Sequence, residues 1–196
     1  MRLKRCIDIV LSSLVLLLLS PILAVVALAV WLDSAGPILF RQERVGLRFR
    51  HFRIVKFRTM RVATGPTVTI AGDTRVTRVG KCLRLTKLDE VPQFWNVLRG
   101  DMSLVGPRPE VQQYVEMFKD RYRKVLTVRP GITDLASIHF RNEEEILASS
   151  TEPLKEYAER ILPAKLDLAE QYIRTRTIFR DVSILFHTAA AIMRNH

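Results

Sequence analysis

The stretch Ile7–Leu32, IDIVLSSLVLLLLSPILAVVALAVWL, decides the fold of this chain, because it is a long run with almost no polar interruption. A helix of about 20 apolar residues crosses the hydrocarbon core of a bilayer, and the run is longer than that. A buried core helix and a secretory signal peptide are weaker alternatives, since soluble domains rarely need such a run and the following segment is strongly basic. The sequence therefore predicts a membrane anchor. The simplest expected partner of Asp8, near its basic end, is Arg5 or Arg2.

Basic residues flank this run on both sides. Arg2, Lys4 and Arg5 precede it, and a series of cations between residues 41 and 61 follows it. Cytoplasmic segments carry the excess of Lys and Arg, so both ends favour the cytoplasm, which a straight span does not allow. Proline displaces the carbonyl four residues earlier, and the Ser hydroxyl beside it can donate to that carbonyl. We therefore predict a re-entrant membrane helix broken at Ser20-Pro21, with a full span as the alternative.

The rest of the chain has a different pattern. Residues 1–34 are predicted to form the anchor and residues 35–196 a compact cytoplasmic domain, packed together as one unit. Apolar and basic side chains alternate in His51–Met60, which predicts a half-buried strand. Ala63–Ile70 is rich in Thr, Gly and Pro and predicts a loop. Most of the remainder has helical periodicity, so the expected fold class is α+β, mostly helical with a few short strands.

The composition calls for an anionic partner. The chain of 196 residues has a formal net charge of +11, which suits nucleic acid, lipid headgroups or phosphorylated substrates. Cys6 and Cys82 do not form a disulfide framework and indicate a reducing compartment. Nucleic-acid binding would need aromatic stacking platforms or a recognition helix among the cations, and neither is evident, so no nucleic acid is expected. A basic, membrane-tethered binding protein stays open as a rival class.

The C-terminal region is predicted to be helical. Glu152–Leu162 is expected to end before Pro163, and a second helix is expected to begin at Ala164. An apolar face on the last helix comprises Val182, Leu185, Phe186, Ala189, Ile192 and Met193. This face packs either in the core or on the bilayer surface, and the anchor favours the surface, as an interfacial amphipathic helix.

Two adjacent carboxylates, Asp89 and Glu90, are the strongest candidates for chemistry. Thr86 begins a Thr-x-x-Asp variant of the capping box, and an apolar stripe follows at helical spacing, so both acids are predicted in or just before the first turn of a helix that ends at Gly100. An ionised Asp is a candidate nucleophile toward phosphorus, and a second carboxylate suits Mg²⁺. The alternative is that the pair only caps the helix. No His/Cys metal spacing and no Walker loop is present.

Cations surround this pair in sequence. Arg108 is fixed within the turn Gly106–Pro109, and its planar fork matches phosphate oxygens. Five further cations recur every third residue before the pair: Arg75, Arg78, Lys81, Arg84 and Lys87. They either form a solvated helical face or focus an anion at the acidic pair.

From about Lys4 to Gly131 the chain resembles the bacterial sugar transferases of the monotopic phosphoglycosyl transferase superfamily, which includes undecaprenyl-phosphate sugar phosphotransferases. The motifs that carry this resemblance are Ser20-Pro21, Gly36-Pro37, Phe40-Arg41-Gln42, Arg44-Val45-Gly46, Lys56–Met60, Asp73–Gly80, Leu88–Gln93, Asn96–Leu98, Gly100–Pro109 and Arg129–Thr133.

The resemblance implies transfer of a phosphosugar from a UDP-sugar to a polyprenyl (undecaprenyl) phosphate with release of UMP, as the first membrane step of surface polysaccharide or glycoconjugate assembly. It implies that Asp89 is the nucleophile of a covalent phosphosugar intermediate and that Glu90 is associated with Mg²⁺. Direct displacement, with Asp89 as base or metal ligand, is the alternative. The candidate ligands of substrate phosphates are Lys56, Arg58, Arg75, Arg78, Arg108 and Arg129. The resemblance supports Arg129 less strongly than Lys56 and Arg108.

The resemblance also implies a monotopic enzyme on the cytoplasmic face of the bacterial inner membrane. Larger relatives carry four extra membrane helices upstream, so this chain is similar to their minimal catalytic unit; a homo-oligomer is left open. Where many relatives continue with Gly-Trp-Ala-Gln, Asp134–Ser137 follows here, and the acidic run Glu143–Glu145 has no implied role.

Overall fold

The computed structural model describes residues 2–61 and 70–193 of the chain. Its first element is helix α1, Arg2–Asp33, which is the one helix among the described residues that is long and apolar enough to cross a membrane. Helical structure continues through Ser20-Pro21, so the predicted division into two helices is not seen. The local chemistry expected there is present: Ser20 Oγ donates a hydrogen bond of 2.8 Å to the carbonyl of Leu17, which has no amide donor at Pro21.

The first turns of α1 are bound to the rest of the protein. Lys4 Nζ donates to the Val105 carbonyl at 3.1 Å. The Arg5 guanidinium donates to the carbonyls of Val97 and Leu98, at 2.6 and 3.0 Å. Basic side chains that the sequence assigned only to membrane topology therefore also satisfy backbone acceptors.

Asp8 does not pair with Arg5 or Arg2, which are the partners that the sequence predicts. It is only 4% exposed, and its carboxylate accepts bonds from Ser103 Oγ at 2.8 Å and from the Leu104 amide at 3.3 Å. Its helical position turns it toward the domain, where a strand end offers two donors. Sequence proximity alone could not reveal that partner.

The other end of α1 is held by the same domain. Val26 and Val30 pack against Phe57 and Leu83 in one buried apolar cluster. The Asp33 carboxylate accepts a bond of 3.2 Å from the Val79 amide. Both ends of the anchor thus contact the domain formed by the rest of the chain.

A β-hairpin follows the anchor. Strands β1, Leu39–Val45, and β2, His51–Phe57, are antiparallel and are joined through a 3₁₀ turn at Leu47–Phe49. Ile54 is buried and Arg53 is exposed, so the strand predicted from alternating side chains is confirmed up to Phe57. The loop predicted at Ala63–Ile70 lies outside the described residues except for its last position.

The central segment carries short elements. They are α2 (Arg78–Thr86), a 3₁₀ turn (Leu88–Glu90), α3 (Gln93–Arg99), β3 (Ser103–Val105), α4 (Gln112–Met117), α5 (Lys119–Val125), β4 (Gly131–Thr133) and α6 (Leu135–His139). Strands β3 and β4 pair in parallel, with Ser103 opposite Gly131. This two-stranded pair supports the turn that contains Arg108.

The C-terminal helices close the domain. They are α7 (Glu143–Ala148), α8 (Pro153–Glu156), a π-helical turn (Tyr157–Ile161), α9 (Leu162–Thr175) and α10 (Ile178–Met193). The boundary predicted at Pro163 agrees with the structure to within one residue, because α9 begins at Leu162 and Pro163 lies in its first turn, where proline is tolerated. The fold is mostly helical with a few short strands, as expected.

Candidate active site

The acidic pair lies in a single 3₁₀ turn between α2 and α3. The predicted helix start is wrong: Thr86 is the last residue of α2, and its hydroxyl donates to the carbonyls of Cys82 and Leu83. Lys87 adopts a left-handed conformation with φ of 56°, which ends α2 and turns the chain before Asp89 and Glu90. A helix macrodipole therefore does not explain the ionisation of these acids.

The two carboxylates have different environments. Asp89 is 5% exposed, and its Oδ1 atom is buried without a hydrogen-bond partner among the described residues. The Glu90 side chain is 17% exposed and forms a two-pronged ion pair with Arg108. Arg108 Nη2 lies 2.5 Å from Glu90 Oε1, and Nη1 lies 3.3 Å from Oε2. One acid thus has a free buried oxygen while the other is held by a guanidinium.

Backbone contacts fix the turn that contains Arg108. The amide of Gly106 donates to the Thr133 carbonyl, and the Gly131 amide donates to the Pro107 carbonyl. A Cβ added at Gly131 would lie 2.1 Å from the Gly106 nitrogen, so these two chains approach as closely as only glycine permits. Parallel pairing of β3 and β4 is therefore what brings Arg108 beside Glu90.

Lys56 reaches the same site from strand β2. Its ammonium lies 5.5 Å from the ring centre of Phe40 on the neighbouring strand. Burial lowers the pKa of Lys56, and the nearby charges of Glu90 and Asp89 oppose that effect. Lys56 therefore faces both carboxylates, and the structure unites it with Asp89, Glu90 and Arg108, as predicted.

Burial and charge separate the two acids electrostatically. Burial raises the pKa of Asp89 to about 6, and the neighbouring negative charge of Glu90 adds to the rise. Burial also favours a raised pKa for Glu90, but the charge and hydrogen bonds of Arg108 outweigh it and lower that pKa to about 2. The charge of Glu90 in turn raises the pKa of the Arg108 guanidinium. Glu90 is thus fixed as an anion, whereas Asp89 is the acid whose charge is less well compensated.

Arg84 is a site residue that the sequence did not single out. It lies near the end of α2, and its Nε donates to Thr59 Oγ1 at 3.1 Å while Nη1 pairs with Glu144 at 3.0 Å. Its positive charge acts on both Asp89 and Lys56. The only signal was the three-residue spacing of cations before the acidic pair, which did not distinguish it from Arg78 or Lys81.

Other predicted phosphate ligands serve different contacts. Arg58 is 4% exposed, and its Nη2 donates to the carbonyls of Val30 and Ser34 at the end of α1. Arg129 Nε donates to the Gly100 carbonyl at 2.8 Å. Arg75 binds the carboxylate of Asp73, and Arg78 is exposed in the first turn of α2. Within the described parts of the chain, no ion pair joins Arg58, Arg78 or Arg129 to the acidic pair.

The acidic pair offers two carboxylates to a magnesium ion. No group of three or more His, Cys, Asp or Glu side chains with metal-binding geometry occurs in residues 2–61 and 70–193. Mg²⁺ is often held by one or two carboxylates together with substrate phosphates, so a site of two acids is compatible with it. The unpartnered buried Oδ1 of Asp89, beside Glu90, fits this role. Glu90 would hold the ion by exchanging one of its two bonds to Arg108, and the ion would supply neutralising charge to a diphosphate.

Comparison with known proteins identifies the family. The sequence model of the bacterial sugar transferases matches residues 1–195. The chain belongs to the bacterial sugar transferase family. The resemblance seen in the sequence is confirmed, and so is the assignment of this sugar transferase as an enzyme.

Several relatives of the sugar transferase have named activities. The chain is 42% identical, over 97% of its length, to a UDP-glucose:undecaprenyl-phosphate glucose-1-phosphate transferase of Caulobacter vibrioides. The match covers 69% of that protein. The chain is 42% identical over 95% of its length to the protein of the same name from Escherichia coli K12, covering 39% of it. A UDP-N-acetylgalactosamine-undecaprenyl-phosphate N-acetylgalactosaminephosphotransferase of Aeromonas hydrophila is 39% identical over 97% of the chain, which covers 43% of that protein. The chain therefore spans less than half of two of these three relatives.

Proposed function

We propose that this sugar transferase moves a sugar 1-phosphate from a UDP-sugar to a polyprenyl phosphate and releases UMP. The observation that carries the proposal is the Asp89 carboxylate, which is buried, has one free oxygen and lies among Lys56, Arg84 and the Glu90–Arg108 pair. Such a site offers a nucleophile and several cations for phosphates. The relatives' names, which pair UDP-sugars with undecaprenyl phosphate, support the same reaction.

The reaction is proposed to proceed in two displacements. An oxygen of Asp89 attacks the phosphorus that bears the sugar, forming an acyl phosphate while the bond to the UMP oxygen breaks and UMP leaves. A phosphate oxygen of the polyprenyl phosphate then attacks the same phosphorus, and the Asp89 carboxylate is released. Lys56 and Arg108 stabilise the negative charge of the phosphates during both steps. Arg108 must then share its donors between Glu90 and the substrate.

Replacing Asp89 with Asn tests the nucleophile. We expect UMP release to be lost while the protein stays in the membrane; full activity in this variant would exclude the role. Asp120→Asn is a matched control, because the Asp120 side chain is 90% exposed and pairs only with its neighbour Arg123 among the described residues.

A second measurement separates the covalent route from direct displacement. Without polyprenyl phosphate, the covalent route releases about one UMP per enzyme and adds a sugar phosphate to Asp89, which mass spectrometry of the denatured protein detects. Direct displacement releases no UMP under these conditions and leaves Asp89 unmodified.

The anchor is proposed to be re-entrant at the cytoplasmic face of the bacterial inner membrane. A straight helix of this length measures about 48 Å at 1.5 Å per residue, well beyond the hydrocarbon thickness of about 30 Å. The contacts of Arg5 and Val30 with one and the same domain argue against a crossing, since that domain lies on one side of the bilayer. Leu17 and Leu18, 71% and 67% exposed, are the residues proposed to enter the leaflet.

Apolar surface outside the anchor is proposed to rest on the bilayer. Phe179 and Phe186 of α10 are 90% and 72% exposed, and Trp95 of α3 is 54% exposed. An ion pair of 2.6 Å between Lys4 and Asp181 ties the start of α10 to the basic end of the anchor. Within the predicted apolar face of α10, Val182, Phe186 and Met193 are exposed, whereas Leu185 packs against the core. The exposed part supports interfacial contact.

Cysteine labelling tests this topology. Cys6 and Cys82 are exposed and are first replaced by Ser. Leu3→Cys and Ala35→Cys then place single thiols at exposed positions near the two ends of α1. We expect a membrane-impermeant maleimide to label both from the cytoplasmic side only. Labelling of position 3 from the periplasmic side would establish a full span instead. Replacing Pro21 is expected to shift the helix toward that span.

Glucose is the sugar proposed for the donor, because the relatives at 42% identity are named for UDP-glucose. Other relatives are named for N-acetylgalactosamine or galactose, at 39% and 33% identity. A panel of UDP-sugars assayed for UMP release decides among them; a strong preference for another sugar would refute this choice and leave the reaction type untouched.

A further inference from the structure

The turn that contains Arg108 is held by a backbone hydrogen bond to Asp134, a residue to which the proposed function assigns no role. Asp134 is 4% exposed and follows strand β4 directly. Its Oδ2 accepts a hydrogen bond of 3.0 Å from the Arg108 amide, and its Oδ1 accepts one of 2.7 Å from the Ser137 amide. One buried carboxylate thus joins the first turn of α6 to the residue that pairs with Glu90.

We propose that Asp134 is a positioning residue that sets the placement of Arg108, through the hydrogen bond from the Arg108 amide, for its contact with substrate phosphate. This inference rests on the proposed function, in which Arg108 binds the phosphates. Asp134 itself does not touch the reacting atoms.

The contacts of the turn explain why this one bond matters. Gly106 and Pro107 are held by backbone bonds to β4, and the Glu110 side chain accepts from Arg44 and from Tyr157. Arg108 lies between these fixed points, and proline on either side removes the neighbouring amide donors. The Arg108 amide is therefore the backbone donor available at this point of the turn, and the Asp134 carboxylate accepts from it.

The long side chain of Arg108 makes its placement sensitive to its base. The Arg108 side chain is 40% exposed, and among the described residues it is held at its guanidinium, by Glu90 and by the Ile132 carbonyl at 3.4 Å. A substrate phosphate must compete with Glu90 and with the Ile132 carbonyl for the guanidinium of Arg108. The guanidinium can exchange these acceptors for a phosphate only if the Arg108 backbone stays in place. Small misplacements of a positioning group reduce catalysis by up to about 100-fold.

Asp134→Ser isolates this bond. Serine still accepts from the Ser137 amide and so keeps the cap of α6, but it is too short to reach the Arg108 amide as well. We expect a loss of about 10- to 100-fold in kcat/KM for UMP release. The melting temperature is expected to fall by a few degrees, because the Arg108 amide loses its acceptor, but the fold is kept. Ser137→Ala is the matched control on the same helix, because the buried Ser137 hydroxyl has no partner in the described residues; its activity is expected to stay at the wild-type level.

A double-mutant cycle with Arg108→Ala shows whether Asp134 acts by positioning Arg108 or by stabilising the fold as a whole. If Asp134 acts through Arg108, Asp134→Ser costs less than about threefold once Arg108 is absent. Equal losses in the two backgrounds, or wild-type activity of Asp134→Ser alone, would overturn the inference. Failure of the proposed function is a separate outcome, because the wild-type protein would then release no UMP from any UDP-sugar.

Discussion

Asn96 provides the sharpest test of how the fold holds Lys56 against the acidic pair. Its side chain is 1% exposed and lies along the free edge of strand β2. Asn96 Oδ1 accepts from the Val55 amide at 3.0 Å, and Nδ2 donates to the Arg53 carbonyl at 2.8 Å. One side chain of α3 therefore substitutes for a third strand, next to Lys56 on β2.

Asn96→Ala removes both bonds and leaves two backbone groups of β2 without partners. An unsatisfied buried polar group costs about 1–3 kcal/mol, and water entering the vacated space recovers part of it. We therefore expect a loss of about 2–4 kcal/mol in the free energy of unfolding. For a domain of this size, 1 kcal/mol corresponds to about 2–4 °C, so the melting temperature should fall by about 5–15 °C.

The isosteric variant Asn96→Asp separates hydrogen bonding from packing. It keeps the acceptor for the Val55 amide but opposes an oxygen to the Arg53 carbonyl and a second negative charge to Asp101, whose carboxylate lies 3.4 Å from Nδ2. We expect destabilisation at least as large as that of Asn96→Ala, although no volume is lost.

Melting curves and UMP release in lipid nanodiscs measure both effects. Asn142→Ala is the matched control, because Asn142 is exposed and its side chain makes no bond to the described residues; its melting temperature should stay near the wild-type value. If Asn96→Ala melts within about 2 °C of the wild type and releases UMP at the same rate, the account of β2 is refuted.

Two further outcomes test the packing of the site and of the membrane face. Gly131→Ala should prevent the pairing of β3 with β4, since the new Cβ would lie 2.1 Å from the Gly106 nitrogen, and little folded protein should be recovered by size-exclusion chromatography. The chain has two tryptophans, so Trp31→Phe leaves Trp95 as the only one, and brominated acyl chains should quench its fluorescence; unquenched emission would place α3 away from the bilayer.

Local patterns in the sequence predicted the parts of the site that depend on composition and short spacing. The apolar run predicted the long helix α1, and the alternation in His51–Met60 predicted strand β2. Gly100, with φ of 90°, ends α3 as expected. The resemblance assigned Lys56 and Arg108 to the same site as the acidic pair, and the structure brings these residues together, while their roles stay predictions.

The remaining features depend on partners that are distant in sequence. The Thr86 pattern fits a helix start and a helix end equally well, and the left-handed Lys87 decides between them. A sequence cannot show that Arg58 Nη2 donates to the carbonyls of Val30 and Ser34, because carbonyls and phosphates are acceptors for the same guanidinium. The Glu90–Arg108 pair likewise arises from the pairing of two three-residue strands, which carry almost no periodic signal.

The anchor and the acidic pair act as one structure because the first turns of α1 bind the segments on either side of the site. Arg5 holds the end of α3, which follows Asp89, and Asp8 holds β3, which leads to Arg108. Removing those turns would leave the Ser103 hydroxyl and several carbonyls without partners and would loosen both segments at once. In the proposed membrane topology, hydrogen bonds within the protein would therefore set the distance of the acidic pair from the bilayer.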